Sequence, residues 1–273
     1  VSYADLVCEP CGETVFTATP HRNVMGLGAN LVRCSGCGVK RYDRRLADAA
    51  AVNDSAEAHT LADNVARFGA LNNLDAARIP EFQAAHWRLY TGMVATLRRF
   101  AGTLASIYEV GTSVGEFLAV AHACHVATLD GCEPNRRACE LAASLHGLAI
   151  EHSFFGAATP PRAPYDAVAM LDVIEHTETP RGDLEKAFGI LRPGGMLLLK
   201  TFYDEWHATL DLNIAGPDAW TDPRHGYFDP LGHLHHFDEP VLRSLIERVG
   251  FAVEDWSRNT VHGQVIVYAR RPC

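Results

Sequence analysis

"IYEVGTSVGEF", residues 107–117, is a short apolar run that breaks into a glycine loop. Glu109 stands two residues before Gly111, and Gly115 follows four residues later. Two glycines in such a loop imply close approach of something to the backbone. A dinucleotide fold would show G-x-G-x-x-G, whereas the order here is Glu-x-Gly-x-x-x-Gly. An acid beneath the loop is a poor companion for a pyrophosphate and suits a ligand that carries positive charge. No G-x-x-x-x-G-K-[ST] loop is present either. The phosphate-binding readings are thereby excluded.

Working outward, strand and helix alternate from Ser106 onward. "SIYEV" reads as a strand, "VGEFLAVAHACH" as a helix, "VATLDGCE" as a strand and "PNRRACELAASLHG" as a helix. The strands "LAIEHSFF" and "YDAVAMLD", the helix "RGDLEKAFGIL" and the strand "GGMLLLKTF" follow. Strands separated by crossover helices predict a parallel sheet covered on both faces, with ligands at the carboxyl ends of its strands. "DEPVLRSLIERVGF" is a helix that stops at Gly250. "FAVEDWSR" and "TVHGQVIVYAR" are strands that close the sheet as an antiparallel pair.

"YEVGTSVGEFL" resembles the first motif of the class I S-adenosylmethionine-dependent methyltransferases. "LDGCEPN", "YDAVAMLDVIEHTETP" and "ILRPGGMLLLKT" resemble the motifs that follow it in that family. "GHLHHFDEPVLRSLIERVGF" is similar to the late segment of its small-molecule branch, which includes the ubiquinone-type enzymes. The resemblance spans roughly residues 85–270. It implies an α/β fold with a Rossmann-like seven-stranded sheet, six strands parallel and one antiparallel. It also implies S-adenosylmethionine as cofactor. Glu109 would receive the methionine end, Glu133 the ribose hydroxyls, and Gly111 and Gly115 the ligand along the backbone. Thr112, Pro134, Asp172 and Val173 line the same site. Phe154 and Phe155 flank the adenine where the family often places an acid, and they serve equally as core residues. No acid stands in "HSFFGAATPP".

Between the fifth strand of this sheet and the next helix lies a long aromatic and histidine-rich segment, "FYDEWHATLDLNIAGPDAWTDPRHGYFDPLGHLHHF". Loops of this length are usually functional or disordered. Residues 203–237 are therefore read as an acceptor-binding insertion, with Tyr203, Trp206, His207 and Tyr227 facing substrate. A hydroxyl or amine acceptor must lose a proton, and histidine titrates in the useful range. The family pattern places a histidine four residues before an aromatic, here His233 before Phe237. His233 is the first candidate base, His236 the second, and His176 stands close by in sequence to the fourth-strand motif. Each of the three also has a plain reading as a loop-orienting or packing residue.

The amino-terminal text is of another kind. "CEPCG" at Cys8–Gly12 is echoed by "CSGCG" at Cys34–Gly38, two C-x2-C pairs 22 residues apart. Two intervening residues let both thiolates turn onto one ion, the following glycine permits a tight knuckle, and four soft thiolates suit Zn2+. The pattern resembles the zinc ribbon family. Cys8, Cys11, Cys34 and Cys37 leave no open position for a reacting water, so the zinc is expected to be structural. Residues 1–45 thus read as a ribbon, 46–103 as a helical connector and lid, and 104–273 as the methyltransferase domain. Within the connector, "EFQAAHWRLYTGMVATLRRFAG" sets Phe82, Trp87, Leu89, Tyr90, Val94 and Leu97 at helical intervals.

The chain of 273 residues is 48% hydrophobic, enough for a full core. Its net charge is −9, although residues 1–45 carry six Lys/Arg against four acids, a local +2 that leaves about −11 elsewhere. That balance argues against nucleic acid. No apolar run approaches the roughly 20 residues of a membrane helix, and no signal-peptide pattern opens the sequence. A cytoplasmic biosynthetic enzyme acting on O or N of a small molecule or sugar-type metabolite is expected. The alternatives are an rRNA methyltransferase bearing a zinc ribbon and a binding protein that keeps this fold without its activity.

Overall fold

Ser106–Val110 (β4), Thr128–Glu133 (β5), Glu151–His152 (β6), Tyr165–Leu171 (β7) and Leu191–Phe202 (β8) form the parallel part of one sheet. The computed structural model describes residues 6–44, 79–203, 211–215, 227, 228, 230, 232–259 and 263–273. The sheet order is β6-β5-β4-β7-β8-β11-β10, where β10 is Ala252–Asn259 and β11 is Gln264–Arg270. Strand β11 runs antiparallel to both β8 and β10, so six strands point one way and one against them. The chain steps outward from β4 to β5 and β6, then returns to the other side of β4 with β7. The β4/β7 boundary is therefore the switch point, and the loops after these two strands face one crevice.

Period-two alternation explains why both faces are covered. Tyr108, Val110, Val168, Met170, Leu197 and Leu199 point into one core. Ile107, Ala167, Ala169, Met196 and Leu198 point into the other. The first face is covered by the helices Pro180–Ile190 (α4) and Glu239–Val249 (α5), through Leu184, Leu242, Leu245 and Ile246. The second is covered by Ile79–Ala101 (α1) and Glu116–Ala123 (α2). The helix Arg136–His146 (α3) connects β5 to β6, capped by the Asn135 side chain, which accepts from the Ala138 amide.

Helix α1 packs through Tyr90, Met93, Val94 and Leu97, one stripe of a 3.6-residue period. The sequence stripe is only partly the buried one, because Trp87 (44% exposed) and Leu89 face solvent. The strand expected over "LAIEHSFF" shrinks to the edge pair β6, since it has a single neighbour, β5. The connector between residues 46 and 78 lies outside the described residues.

A second sheet forms at the amino terminus from Phe16–Ala18 (β1), Leu31–Cys34 (β2) and Lys40–Tyr42 (β3). Its fourth strand, His235–His236 (β9), comes from the end of the insertion and pairs antiparallel with β3, Lys40 opposite His236 and Arg41 opposite His235. The ribbon is therefore built partly from the other end of the chain. Asp238 reinforces the junction, accepting from Arg33 Nη2 at 2.5 Å and Lys40 Nζ at 2.7 Å. Glu9 of the first knuckle accepts from the amides of Arg181 and Gly182 at 2.9 and 3.0 Å, at the positive end of α4. Val24, Met25, Leu31 and Tyr42 share a cluster with Leu212, Tyr227 and Phe228 of the insertion.

Candidate active site

The loop after β4 is drawn tightly over β5. The amides of Gly111 and Thr112 both donate to the Cys132 carbonyl, at 2.9 and 3.2 Å. Gly111 and Gly115 have φ of +67° and +83°, which only glycine adopts cheaply. A Cβ on Gly111 would lie 2.7 Å from Val173, and one on Gly115 would lie 2.8 Å from Leu148. The space beside both glycines is thus taken by protein. Backbone conformation and the packing of Val173 and Leu148 both require glycine at these positions. Gly131 of β5 is tighter still: a Cβ there would sit 2.4 Å from Thr112 Cγ2 and 2.6 Å from the Glu109 carbonyl oxygen.

Glu109 and Glu133 end neighbouring strands in this crevice. Glu133 accepts from the amides of Ser113 and Asn135 at 2.9 and 2.8 Å, so it ties the glycine loop to the start of α3. Burial raises its pKa, and those two amides oppose the rise. Glu109 is buried, and its Oε2 has no hydrogen-bond partner among the described residues. Burial, and then the charge of Glu133, hold its pKa well above the usual carboxylate range. A buried, unpartnered acid needs a cation or donor to be satisfied. Burial first, and then the charges of Glu109, Glu116 and Asp172, raise the pKa of the Tyr90 phenol on α1. Tyr90 also packs edge-on against Phe117 of α2, with ring centroids 5.6 Å apart. These residues fit the amino and ribose groups of S-adenosylmethionine: an orphaned acid, a second acid at the next strand end, and a loop of backbone amides between them.

Asp172, the first residue past β7, has φ +55° and is paired with Lys200 Nζ. Gln264 Nε2 also donates to it, at 3.3 Å. The left-handed turn redirects the chain so that Val173 abuts Gly111, while Glu175 and His176 turn toward the insertion. There the Glu175 carbonyl accepts from the amides of both Leu234 and His235, at 2.8 and 3.0 Å. That clasp sets His233 beside His176, with ring centroids 4.4 Å apart. His176 Nδ1 donates to the Gly232 carbonyl at 3.0 Å, and His233 Nδ1 to that of Tyr227 at 2.5 Å. Carbonyls only accept, so each neutral ring carries its lone pair on Nε2. Burial, and then Asp172, push Glu175 up to about 8.

His236 is fully buried, stacked on Phe228 and edge-on to Tyr42 and Tyr227. Tyr203 and Tyr227 are buried too, Tyr203 in the core of the main sheet and Tyr227 against the ribbon. Phe155 packs on Tyr108, with Lys186 Nζ above its ring, whereas Phe154 is 46% exposed at the strand end. The Pro134 carbonyl lies 2.9 Å from His152 Nε2, below the Glu133 turn. Trp206 and His207 lie outside the described residues.

The four amino-terminal cysteines converge, with every sulfur within 4.8 Å of the others. Cys8 and Cys37 are 3.5 Å apart, as are Cys11 and Cys34. A tetrahedral zinc with roughly 2.3 Å bonds requires sulfurs about 3.8 Å apart. The knuckles are built alike. Each first cysteine donates its amide five residues on, Cys8 to Glu13 and Cys34 to Val39, and Gly12 and Gly38 take φ of +77° and +83°. The donor set and its spacing fit a closed zinc site.

The family model described as "Methyltransferase domain" matches residues 54–255. The chain belongs to this family. The methyltransferase shares its fold with magnesium protoporphyrin IX methyltransferase from Synechocystis PCC 6803, solved with bound S-adenosylhomocysteine. That likeness has a TM-score of 0.52 at 17% identity and covers 69% of this chain and 84% of that one. It also resembles the N-methyltransferase NodS from Bradyrhizobium japonicum WM9 in complex with S-adenosylhomocysteine, at a TM-score of 0.50 and 14% identity, over 68% of this chain and 87% of that one. No curated protein matches the sequence. The methyltransferase is an S-adenosylmethionine-dependent enzyme of the Rossmann-like class. Two residues important to its site are not conspicuous in the sequence. Gly131 has an unremarked place inside a strand, and Glu175 resembles any surface acid in "IEHTETP".

Proposed function

We propose that this methyltransferase acts on the O or N of a small-molecule or sugar-type metabolite, in a biosynthetic role. The observation that carries the proposal is the His176–His233 pair, joined through Val173 to the Gly111 loop and set at the edge of an aromatic insertion. S-adenosylmethionine, when bound, supplies a methyl group on a sulfonium. Glu109 holds its ammonium group, Glu133 its ribose diol, and Thr112, Gly111 and Gly115 border its methionine chain. Pro134, Phe154 and Phe155 would flank the adenine, and Asp172 and Val173 would line the cofactor as well.

His233 takes the acceptor proton as base, with His236 the second candidate and His176, in ring contact with His233, the third. Trp206 and His207 would contact the acceptor, and Tyr203 and Tyr227, both buried, would support that wall from the core. Placement governs an in-line displacement, so fixing these groups on strand ends matters more than any single charge. Zinc held by Cys8, Cys11, Cys34 and Cys37 is structural, and because the ribbon contributes β3 to the β9 pairing it supports the acceptor wall. None of the eight cysteines is in a disulfide, which suits a reducing cytoplasm. Among the described residues no helix is long and apolar enough to cross a membrane.

The test is calorimetric binding of S-adenosylhomocysteine, followed by turnover of hydroxyl- and amine-bearing metabolites. Loss of binding in Glu133→Ala supports the cofactor assignment, and retention contradicts it. Salt-steep RNA binding would favour the ribosomal alternative instead.

A further inference from the structure

Glu175 is a buried acid close to Thr201 and Lys200. It is fully buried, and neither carboxylate oxygen has a hydrogen-bond partner among the described residues. Lys200 is committed to Asp172. One ligand atom from each of Glu175, His176 and His233 lies within 4.8 Å of the others. The three grade outward from buried Glu175, through half-buried His233, to exposed His176. Both imidazoles are held by Nδ1 donation to backbone carbonyls, the outer support that turns Nε2 into a ligand.

We infer that Glu175, His176 and His233 form a binding site for a divalent transition-metal ion, separate from the four-cysteine site. Two imidazoles and one carboxylate suit zinc, manganese or iron(II), and three protein ligands leave positions open toward the crevice. Bonds of roughly 2.1 Å need ligand atoms about 3–3.5 Å apart, so the set draws together by ~1 Å on binding. The backbone around it is already clasped, since Glu175 receives two amides from the segment carrying His233.

This inference rests on placing the histidine pair on the acceptor side, and it changes the means of acceptor activation. An acceptor hydroxyl bound to the ion releases its proton to water, and the oxygen keeps the electron pair for attack. The imidazoles are then ligands, and neither is a base.

The test uses the full chain with its ribbon metal in place, titrated with Mn2+ and followed by electron paramagnetic resonance, and separately with Co2+ in the visible range. One ion per chain beyond the ribbon's is expected, and its Co2+ spectrum should lack thiolate charge-transfer bands. Glu175→Gln and His233→Ala should each weaken Mn2+ binding at least tenfold while S-adenosylhomocysteine binding persists. Because His176 is exposed, His176→Ala provides the same test if the buried variant fails to fold. Uptake of no ion beyond the ribbon's, or undiminished uptake in His176→Ala, would overturn the inference. Acceptor turnover that survives removal of this ion by chelation would also overturn it, and would leave the histidine-base reading standing.

Discussion

Replacing Gly131 by alanine tests how the cofactor loop is held. The new Cβ would meet Thr112 Cγ2 at 2.4 Å and the Glu109 carbonyl at 2.6 Å. Ordinary contact begins at 3.4 Å, so the loop must retreat by 3.4 − 2.4 = 1.0 Å. One of the obstructing atoms is backbone, which no rotamer change relieves. Overpacking of this kind costs about 1–3 kcal/mol in stability. A binding site needs its groups within roughly 0.5 Å of their places. Displacement of the 111–115 loop should therefore weaken S-adenosylhomocysteine binding on the order of 10–100-fold, beyond any loss of stability. Gly147→Ala is the control: φ is +69° and nothing lies within 4 Å of the new Cβ. It should cost about 1–2 kcal/mol of backbone strain and leave cofactor affinity unchanged. Calorimetry and urea unfolding of both variants give the two numbers. Wild-type affinity in Gly131→Ala, or an equal affinity loss in Gly147→Ala, would refute the reasoning.

Asp238→Asn removes the acceptor shared by Arg33 and Lys40. Discounted for the partly exposed arginine, the loss is about 2 kcal/mol, seen as a melting point lowered by roughly 4–8 °C with cofactor affinity kept. Glu109 has a raised folded pKa, so its stabilising contribution in the ligand-free protein is complete below about pH 4.5 and is lost as pH rises through the folded value. Glu109→Gln should flatten that part of the stability–pH curve. Cofactor binding favours the ionised acid, so calorimetry in buffers of different ionisation heat should show proton release in the wild type and less of it in this variant. Stripping the metal from Cys8, Cys11, Cys34 and Cys37 should expose the β3–β9 region to protease and abolish acceptor turnover, with S-adenosylhomocysteine affinity within a few-fold. Equal loss of both activities would argue that the ribbon is needed for the whole fold.

The parts of this site that were legible are those whose chemistry is local. Glu109 before Gly111, Glu133 at the next strand end and the paired cysteines each carry their meaning within a dozen residues. What was hidden depends on remote partners. Gly131 is required because Thr112 folds over it, a contact that no spacing rule records. Glu175 is buried because Leu234 and His235 close upon its carbonyl from 59 and 60 positions away. The same distance effect divides the two phenylalanines: Phe155 enters the core against Tyr108, and Phe154 does not. Amphipathic periodicity located α1, yet Trp87 of that stripe faces solvent, since the period marks a face without saying how far its neighbour extends.

The pairing of β3 with β9 has a consequence for how the chain is made. Lys40 leaves the ribosome 196 residues before His236, its partner. At roughly 5–20 residues per second, translation imposes a wait of about 10–40 s. For that interval β3 is an open edge with unpaired backbone groups, the kind that recruits the wrong strand. Lys40 and Arg41 on this edge supply the charge that discourages such pairing. Early loading of the cysteine site would preserve the template until the acceptor segment arrives, so metal supply during synthesis would govern the yield of correctly assembled enzyme.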